Sequence, residues 1–406
     1  MNRVRIKINL TGRNRSLTIA TCGALLFAAA CGGSSGSSST PGPAPPSASN
    51  VQAITVNAGP AGFYANGAFT GVTVCVPGTS ACQTVGGVLV DTGSSGLRLL
   101  SSALAIGLPQ QKTAGGDPVV ECFPFISTYV WGPVQTADIE LAGEKASSVP
   151  IQVISGSDFP TPTACADFGG PQETLSDLGA NGILGVGSFA QDCGQGCSQS
   201  STPIYWECPA SGCSEIAESL AQQVQNPVAL FSADNNGVII ELPAVSGPEA
   251  TLSGSLIFGI GTQSNNELNG ATVYPVDPSG NLAGDFVTTY NKVAYNQSFI
   301  DSGSNALFFP DASIPTCSDD NAFYCPRATE NLSATNAGYT GTPTGTVDFS
   351  VADADALPNE AVLGQLAGPS SIGAFDWGLP FFYGRNVYTA IDGQSTPGGS
   401  GPYWAY

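Results

Sequence analysis

Two short stretches carry the residue types that can do acid–base chemistry. The first is Val88-Leu89-Val90-Asp91-Thr92-Gly93-Ser94-Ser95-Gly96-Leu97. The second is Ser298-Phe299-Ile300-Asp301-Ser302-Gly303-Ser304-Asn305-Ala306-Leu307, its Asp 210 positions further on. In each, an apolar run delivers an Asp into a small, hydroxyl-rich turn. A carboxylate at the end of an apolar strand is costly to desolvate unless something satisfies or uses it. A single Asp-x-Gly turn is ordinarily a loop that caps itself. Two matched copies point instead to carboxylates that face one another. Such a pair cannot ionise twice cheaply, so it holds one proton over a wide pH range. The chain contains no His. Ser-His-Asp and Cys-His catalysis, a histidine base and His-ligated zinc are thereby excluded, and acid–base work falls to carboxylates.

The rest of the chain must hold those two turns together. With 406 residues, 42% of them hydrophobic, a large core is available, and 51 Gly and 30 Pro with only 10% charged residues favour turn-rich β structure over helix bundles. The formal charge is −20, and five of the 11 basic residues (Arg3, Arg5, Lys7, Arg13, Arg15) stand in the first 15 positions. The remainder is so acidic that it repels phosphate backbones, and nucleic acid is not expected as a partner.

Residues 1–30 read as a signal peptide, with a basic segment followed by the apolar run Leu17 to Ala30, too short for a comfortable membrane span. Ala28-Ala29-Ala30-Cys31 resembles a bacterial lipoprotein cleavage box with Cys31 as the lipidated first residue; ordinary cleavage after the same alanines is the alternative. Gly32 behind it favours sorting to an outer membrane. Residues 31–50 form a Gly/Ser then Pro-rich tether. Ten further Cys suit five disulfides in an exported chain, among them Cys75–Cys82 and Cys317–Cys325. Cys193, Cys197, Cys208 and Cys213 admit a zinc site, but an oxidising compartment favours two local disulfides.

Along the chain, Phe125 to Val134 reads as a hairpin with Gly132-Pro133 at its turn. Thr136 to Gly143 alternates like a strand, and Ala180 to Gly187 is apolar with closely spaced glycines, a pattern that marks close backbone approach. Ile216, Leu220 and Val224 recur every four residues and predict a short helix stopped at Asn226-Pro227. Val228 to Leu242 is expected to cross between the two halves.

These pieces resemble the pepsin-type aspartic peptidases. That family has, in each of two lobes, an apolar-apolar-Asp-Thr/Ser-Gly loop and a later apolar-apolar-Gly strand threaded beside it. Here the first elements are Leu89-Val90-Asp91-Thr92-Gly93-Ser94 and Ile183-Leu184-Gly185. The second are Phe299-Ile300-Asp301-Ser302-Gly303-Ser304 and Phe375-Asp376-Trp377-Gly378, in which Asp376 is an unusual polar intruder. Ser253 to Gly259 and Tyr388 to Asp392 resemble the strands that open and close the second lobe. The chain is also similar to an uncharacterised bacterial lipoprotein family with this pattern. The resemblance implies an all-β, bilobal pepsin-like double-β-barrel fold with a few short helices, an N-terminal lobe over 51–228 and a C-terminal lobe over 229–406. It implies an exported aspartic endopeptidase, monomeric and without metal or cofactor, acting on peptide or protein substrates through Asp91, Asp301 and an activated water. Thr92 and Ser302 would tie the loops together. Gly93 and Gly303 would let them bend close, and Ser94 and Ser304 would bind the outer carboxylate oxygens. Gly185 and Gly378 would back the loops, and Tyr129 or Trp131 would serve a substrate-covering flap. Arg98 stands where the family usually has Trp, and a cation there could acidify a nearby carboxylate or bind a substrate carboxylate. The alternative is a catalytically inactive pepsin-like binding or inhibitor module of the cell envelope.

Overall fold

The apolar runs ahead of the two Asp residues are central strands, and their neighbours follow from that. In the computed structural model, which describes residues 49–278 and 284–406, Cys82–Asp91 pairs antiparallel with Gly67–Cys75 and parallel with Gly182–Val186. Val88, Leu89 and Val90 are buried on both faces, as an interior strand requires. Ser95–Leu100 leaves the Asp91 turn and runs antiparallel to Gly182–Val186, then parallel to Glu144–Ile154. Glu144–Ile154 pairs with Thr128–Leu141, which returns to Gly67–Cys75. Six strands thus close into a ring, which leaves no open edge around the turn they deliver.

The second half repeats the local plan. Val293–Ile300 brings in Asp301, pairs antiparallel with Phe286–Tyr290 and runs parallel to Asp376–Trp377. Leu307–Phe308 leaves the turn and lies antiparallel to Asp376–Trp377. These strands belong to a seven-stranded sheet. Behind them the core is aromatic: the rings of Phe309 and Phe375 stack with centroids 5.0 Å apart, and those of Phe375 and Trp377 at 4.3 Å.

One strand serves both halves. Val51–Asn57 pairs with Gly67–Cys75 on one side and with Leu252–Phe258 on the other. From there the sheet continues through Gly237–Leu242, Arg385–Ala390 and Tyr403–Ala405. A second tie is Asn66, whose Nδ2 donates to the carbonyls of Asn305 and Leu363, both at 2.9 Å, while its Oδ1 accepts from Leu363 N–H at 2.7 Å. Those bonds fix the segment before Gly67 onto the part of the chain that carries Asp301.

The all-β expectation holds, with helices limited to pieces such as Thr163–Ala166, Leu175–Leu178 and Gln195–Gln199. Two local expectations are corrected. Gly132 and Pro133 lie inside the Thr128–Leu141 strand, opposite Glu121 and Val120, and the hairpin turns instead between Phe125 and Thr128. Gly132 is needed for approach, because a Cβ there would run into the backbone of Val153 and Ser155. The helix over Ile216 to Val224 does not form. Ile216 N–H is taken by Tyr205 O at 2.9 Å, Glu218 N–H by Cys197 O at 2.8 Å and Val224 N–H by the Tyr205 hydroxyl at 2.7 Å, so only a turn at 219–223 remains. Local periodicity lost to long-range pairing.

All ten Cys among the described residues are paired: Cys75–Cys82, Cys122–Cys165, Cys193–Cys197, Cys208–Cys213 and Cys317–Cys325. Five disulfides fit an oxidising, exported environment. The signal peptide (1–30), Cys31 and the tether up to residue 48 lie outside the described residues.

Candidate active site

Each Asp turn grips the other through its second residue. Thr92 N–H donates to Ser302 Oγ at 3.1 Å, and Ser302 Oγ–H donates to Val90 O at 2.8 Å. Reciprocally, Ser302 N–H donates to Thr92 Oγ1 at 3.0 Å, and Thr92 Oγ1–H donates to Ile300 O at 3.0 Å. Each of the two hydroxyls donates one bond and accepts one across the junction. Four bonds of this kind, each adding about 1 kcal/mol, fix the separation of the strand ends.

That grip brings Asp91 and Asp301 within hydrogen-bonding reach of each other. Gly93 N–H donates to Asp91 Oδ1 at 2.8 Å, and Gly303 N–H to Asp301 Oδ1 at 2.7 Å. Ser94 Oγ–H donates to Asp91 Oδ2, and Ser304 Oγ contacts Asp301 Oδ2 at 2.8 Å. The glycines are required sterically. A Cβ on Gly93 would stand 2.6 Å from Asp301 Cγ, and one on Gly303 would stand 2.8 Å from Asp91 Oδ1. Gly185 and Gly378 let the threaded strands close on the turns, since a Cβ would meet Ser94 Oγ in one case and the backbone of Ala306 in the other.

Both carboxyl groups are completely buried. Burial lifts Asp91 above the ordinary carboxylate range, although the Asp301 carboxyl, Ser94, Gly93 N–H and the Arg98 charge all pull it back. Burial lifts Asp301 further, the Asp91 charge adds to the rise, and any charge on Asp376 would add more. Two buried carboxyls this close hold one proton between them, and their titration belongs to the two together.

Three features were not legible from the motifs. The first is Tyr64, fully buried, whose hydroxyl lies 3.4 Å from Gly303 O; burial and then the charges of Asp301 and Asp91 push its phenol far up. The second is the company of Arg98. Its guanidinium is fully buried and bound to Glu121 and Asp192, each at 2.8 Å, donates to Ser95 O at 2.8 Å and stacks over Phe123 at 3.3 Å. Binding of a substrate carboxylate by Arg98 is therefore corrected: its charge is spent internally, and Tyr205 and Gln152 extend the network through Asp192 Oδ1 and Glu121 O. The third is Asp376, whose Oδ2 stands 2.7 Å from the same Ser304 Oγ that touches Asp301.

The flap residues fall elsewhere. Trp131 is a core residue, fully buried, with its ring 6.1 Å from that of Trp206 and its Nε1–H donating to Phe159 O at 2.9 Å. Tyr129 packs in the same cluster, its phenol beside Thr161 and Glu173. A tyrosine does face the pair, but it is Tyr64. Cys317, Cys325, Asp353 and Asp355 lie together, yet both sulfurs are in a disulfide and are not thiolate ligands. Disulfide formation likewise removes the zinc option from Cys193, Cys197, Cys208 and Cys213.

Residues 46–406 match the family model described as "Protein of unknown function (DUF3443)", and the chain belongs to that family. No curated protein matches it.

Proposed function

We propose that this member of the DUF3443 family is an exported aspartic endopeptidase with a bilobal, pepsin-like fold. The observation that carries the reading is the reciprocal Thr92–Ser302 grip, which sets two buried Asp carboxyls against one another. Asp91, ionised, takes a proton from water as the water attacks a peptide carbonyl. Asp301, protonated, donates to the carbonyl oxygen. Gly93 and Gly303 N–H groups hold the inner oxygens, and Ser94 and Ser304 hold the outer ones, so neither carboxyl rotates away from its task. The reading includes a lipid anchor at Cys31 that keeps the enzyme at the envelope. The five disulfides support export, and metabolic labelling with a tagged fatty acid tests the anchor.

One observation favours the alternative, a pepsin-like module that binds without turnover. Asp91 and Asp301 are shut off from solvent, with Tyr64 beside them. Catalysis therefore requires the pair to be uncovered. The deciding experiment assays the signal-less protein against a peptide library over roughly pH 3–8, beside Asp91→Asn and Asp301→Asn. The peptidase cuts, and both variants stop it. Folded wild type that retains peptides intact, or cleavage that survives both substitutions, decides against the enzyme.

A further inference from the structure

Ser304 Oγ stands between two carboxyl oxygens, 2.8 Å from Asp301 Oδ2 and 2.7 Å from Asp376 Oδ2. Both distances are those of ordinary, well-formed O–H···O bonds. A serine hydroxyl has one hydrogen, so it donates to one of these oxygens and must receive from the other. A carboxyl oxygen donates only when it is protonated. The Asp301–Ser304–Asp376 leg therefore needs a proton of its own, besides the one shared between Asp301 and Asp91.

Directionality decides where the two protons sit. If Asp301 gives its proton to Asp91, its outer oxygen can only accept. Ser304 then donates to Asp301 Oδ2, and Asp376 must donate to Ser304. The alternative, an ionised Asp376, leaves two or three negative carboxylates buried within one hydroxyl of each other. Asp376 is 2% exposed and Ser304 and Asp301 are fully buried. Phe308 stands opposite Asp376 on the neighbouring strand. Ionising all three is the costliest arrangement available.

We infer that Asp376 is a positioning residue that stays protonated at neutral pH and donates to Ser304, so that a one-way chain runs Asp376 to Ser304 to Asp301 to Asp91 and leaves the single charge on Asp91. As a statement about catalysis this rests on the peptidase reading; as a statement about protons it does not. The chain ends where the charge is best held, at the Gly93 N–H and Ser94 hydroxyl and on the side of Arg98. Asp376 thus acts through Ser304 and does not touch substrate.

The test counts charge. Asp376→Asn presents an amide that can donate to Ser304 in the same way, and its electrophoretic mobility at neutral pH should equal that of wild type. Asp348→Asn, at an exposed carboxylate, supplies the one-charge calibration. If Asp376→Asn migrates one unit less negative, as the calibrator does, Asp376 is ionised and the proposal is overturned. Neutron diffraction from deuterated wild-type crystals gives the same answer without a variant. Deuterium on Asp376 Oδ2 with the Ser304 deuteron aimed at Asp301 supports the chain, and a bare Asp376 with the Ser304 deuteron aimed at it refutes it. Neither measurement needs turnover, so an inactive protein would sink the peptidase reading and leave this one standing. In an active protein, Asp376→Leu should lower kcat by about tenfold with little change in KM, and Asp376→Asn should restore it.

Discussion

The two Asp turns are near copies, yet what stands behind them differs. On the Asp91 side, Arg98 lies opposite Ile183 across the antiparallel pair of strands; on the Asp301 side, Phe308 lies opposite Asp376 in the matching pair. Each side thus admits one ionisable group at the same crossing, but on opposite strands and of opposite sign. Around Arg98 the interior is an ionic network of Glu121 and Asp192 with Tyr205. On the Asp376 side, Phe308 lies near Phe323, and the strand's other face carries a stack of Phe309, Phe375, Phe349 and Trp377. The lesson is that a symmetric pair of carboxyls is made unequal from behind: a cation lies on the Asp91 side, and on the Asp301 side a third carboxyl competes for the same buried charge through Ser304.

The largest effects should come from breaking the two backings. Arg98→Met leaves Glu121 and Asp192 buried without their cation, and should cost about 3–5 kcal/mol in denaturant unfolding. That loss should deepen as the pH rises, since the stranded carboxyls survive burial only when protonated. Phe308→Ala should cost a similar 3–5 kcal/mol, from a cavity, and its loss should not change with pH. Equal pH dependence in the two variants would erase the distinction between an ionic and an aromatic backing.

The grip between the turns is the next test. Thr92→Val leaves Ser302 N–H and Ile300 O without partners and should cost about 2–3 kcal/mol; Ser302→Ala, the mirror change, should match it within about 1 kcal/mol. A marked inequality would mean that one half depends on the junction more than the other.

Protonation gives a smaller, signed effect. Burial raises Asp301, Asp91 and Glu121, so the folded chain holds protons that the unfolded chain releases. The stability from this source is full below the ordinary carboxylate range and is lost as the pH climbs through the raised values. Asp301→Asn removes one such group and should flatten the fall in Tm between about pH 4 and pH 8. Asp138 runs the other way. Despite burial it is lowered by Ser148 and Gly78 N–H and by Lys145, and its contribution is lost as the pH falls. Smallest of all, Trp377→Phe forfeits the Nε1–H bond to Thr288 Oγ1 at 3.1 Å and should cost about 1 kcal/mol beyond the change in packing.

Much of the site could be read from the chain because its parts are short and local. The Asp turns, their hydroxyls and the two threaded strands with Gly185 and Gly378 are each encoded within a few residues. So are Cys75–Cys82 and Cys317–Cys325, which are seven and eight positions apart. What escaped was set by contacts across the chain. Tyr64 reaches Gly303 over 239 positions, and Asp376 reaches Ser304 over 72, with no periodicity to announce either. The turn wrongly placed at Gly132-Pro133 has the same origin, because the need for Gly comes from Val153, a neighbour only in space. Arg98 was noticed as an exception, but its partners Glu121 and Asp192 lie on separate elements and were invisible without the fold.

The Val51–Asn57 strand has a consequence for the order in which the molecule can assemble. Val51 lies opposite Ile257, so the first described strand acquires its second neighbour only when some two hundred further residues have become available. Loop closure over that span is slow, and the chain must wait with one flank of an apolar sheet uncovered. A polypeptide crossing a membrane from its N-terminus would expose that flank during passage, making periplasmic-type holdases or rapid completion of translocation a condition of its yield.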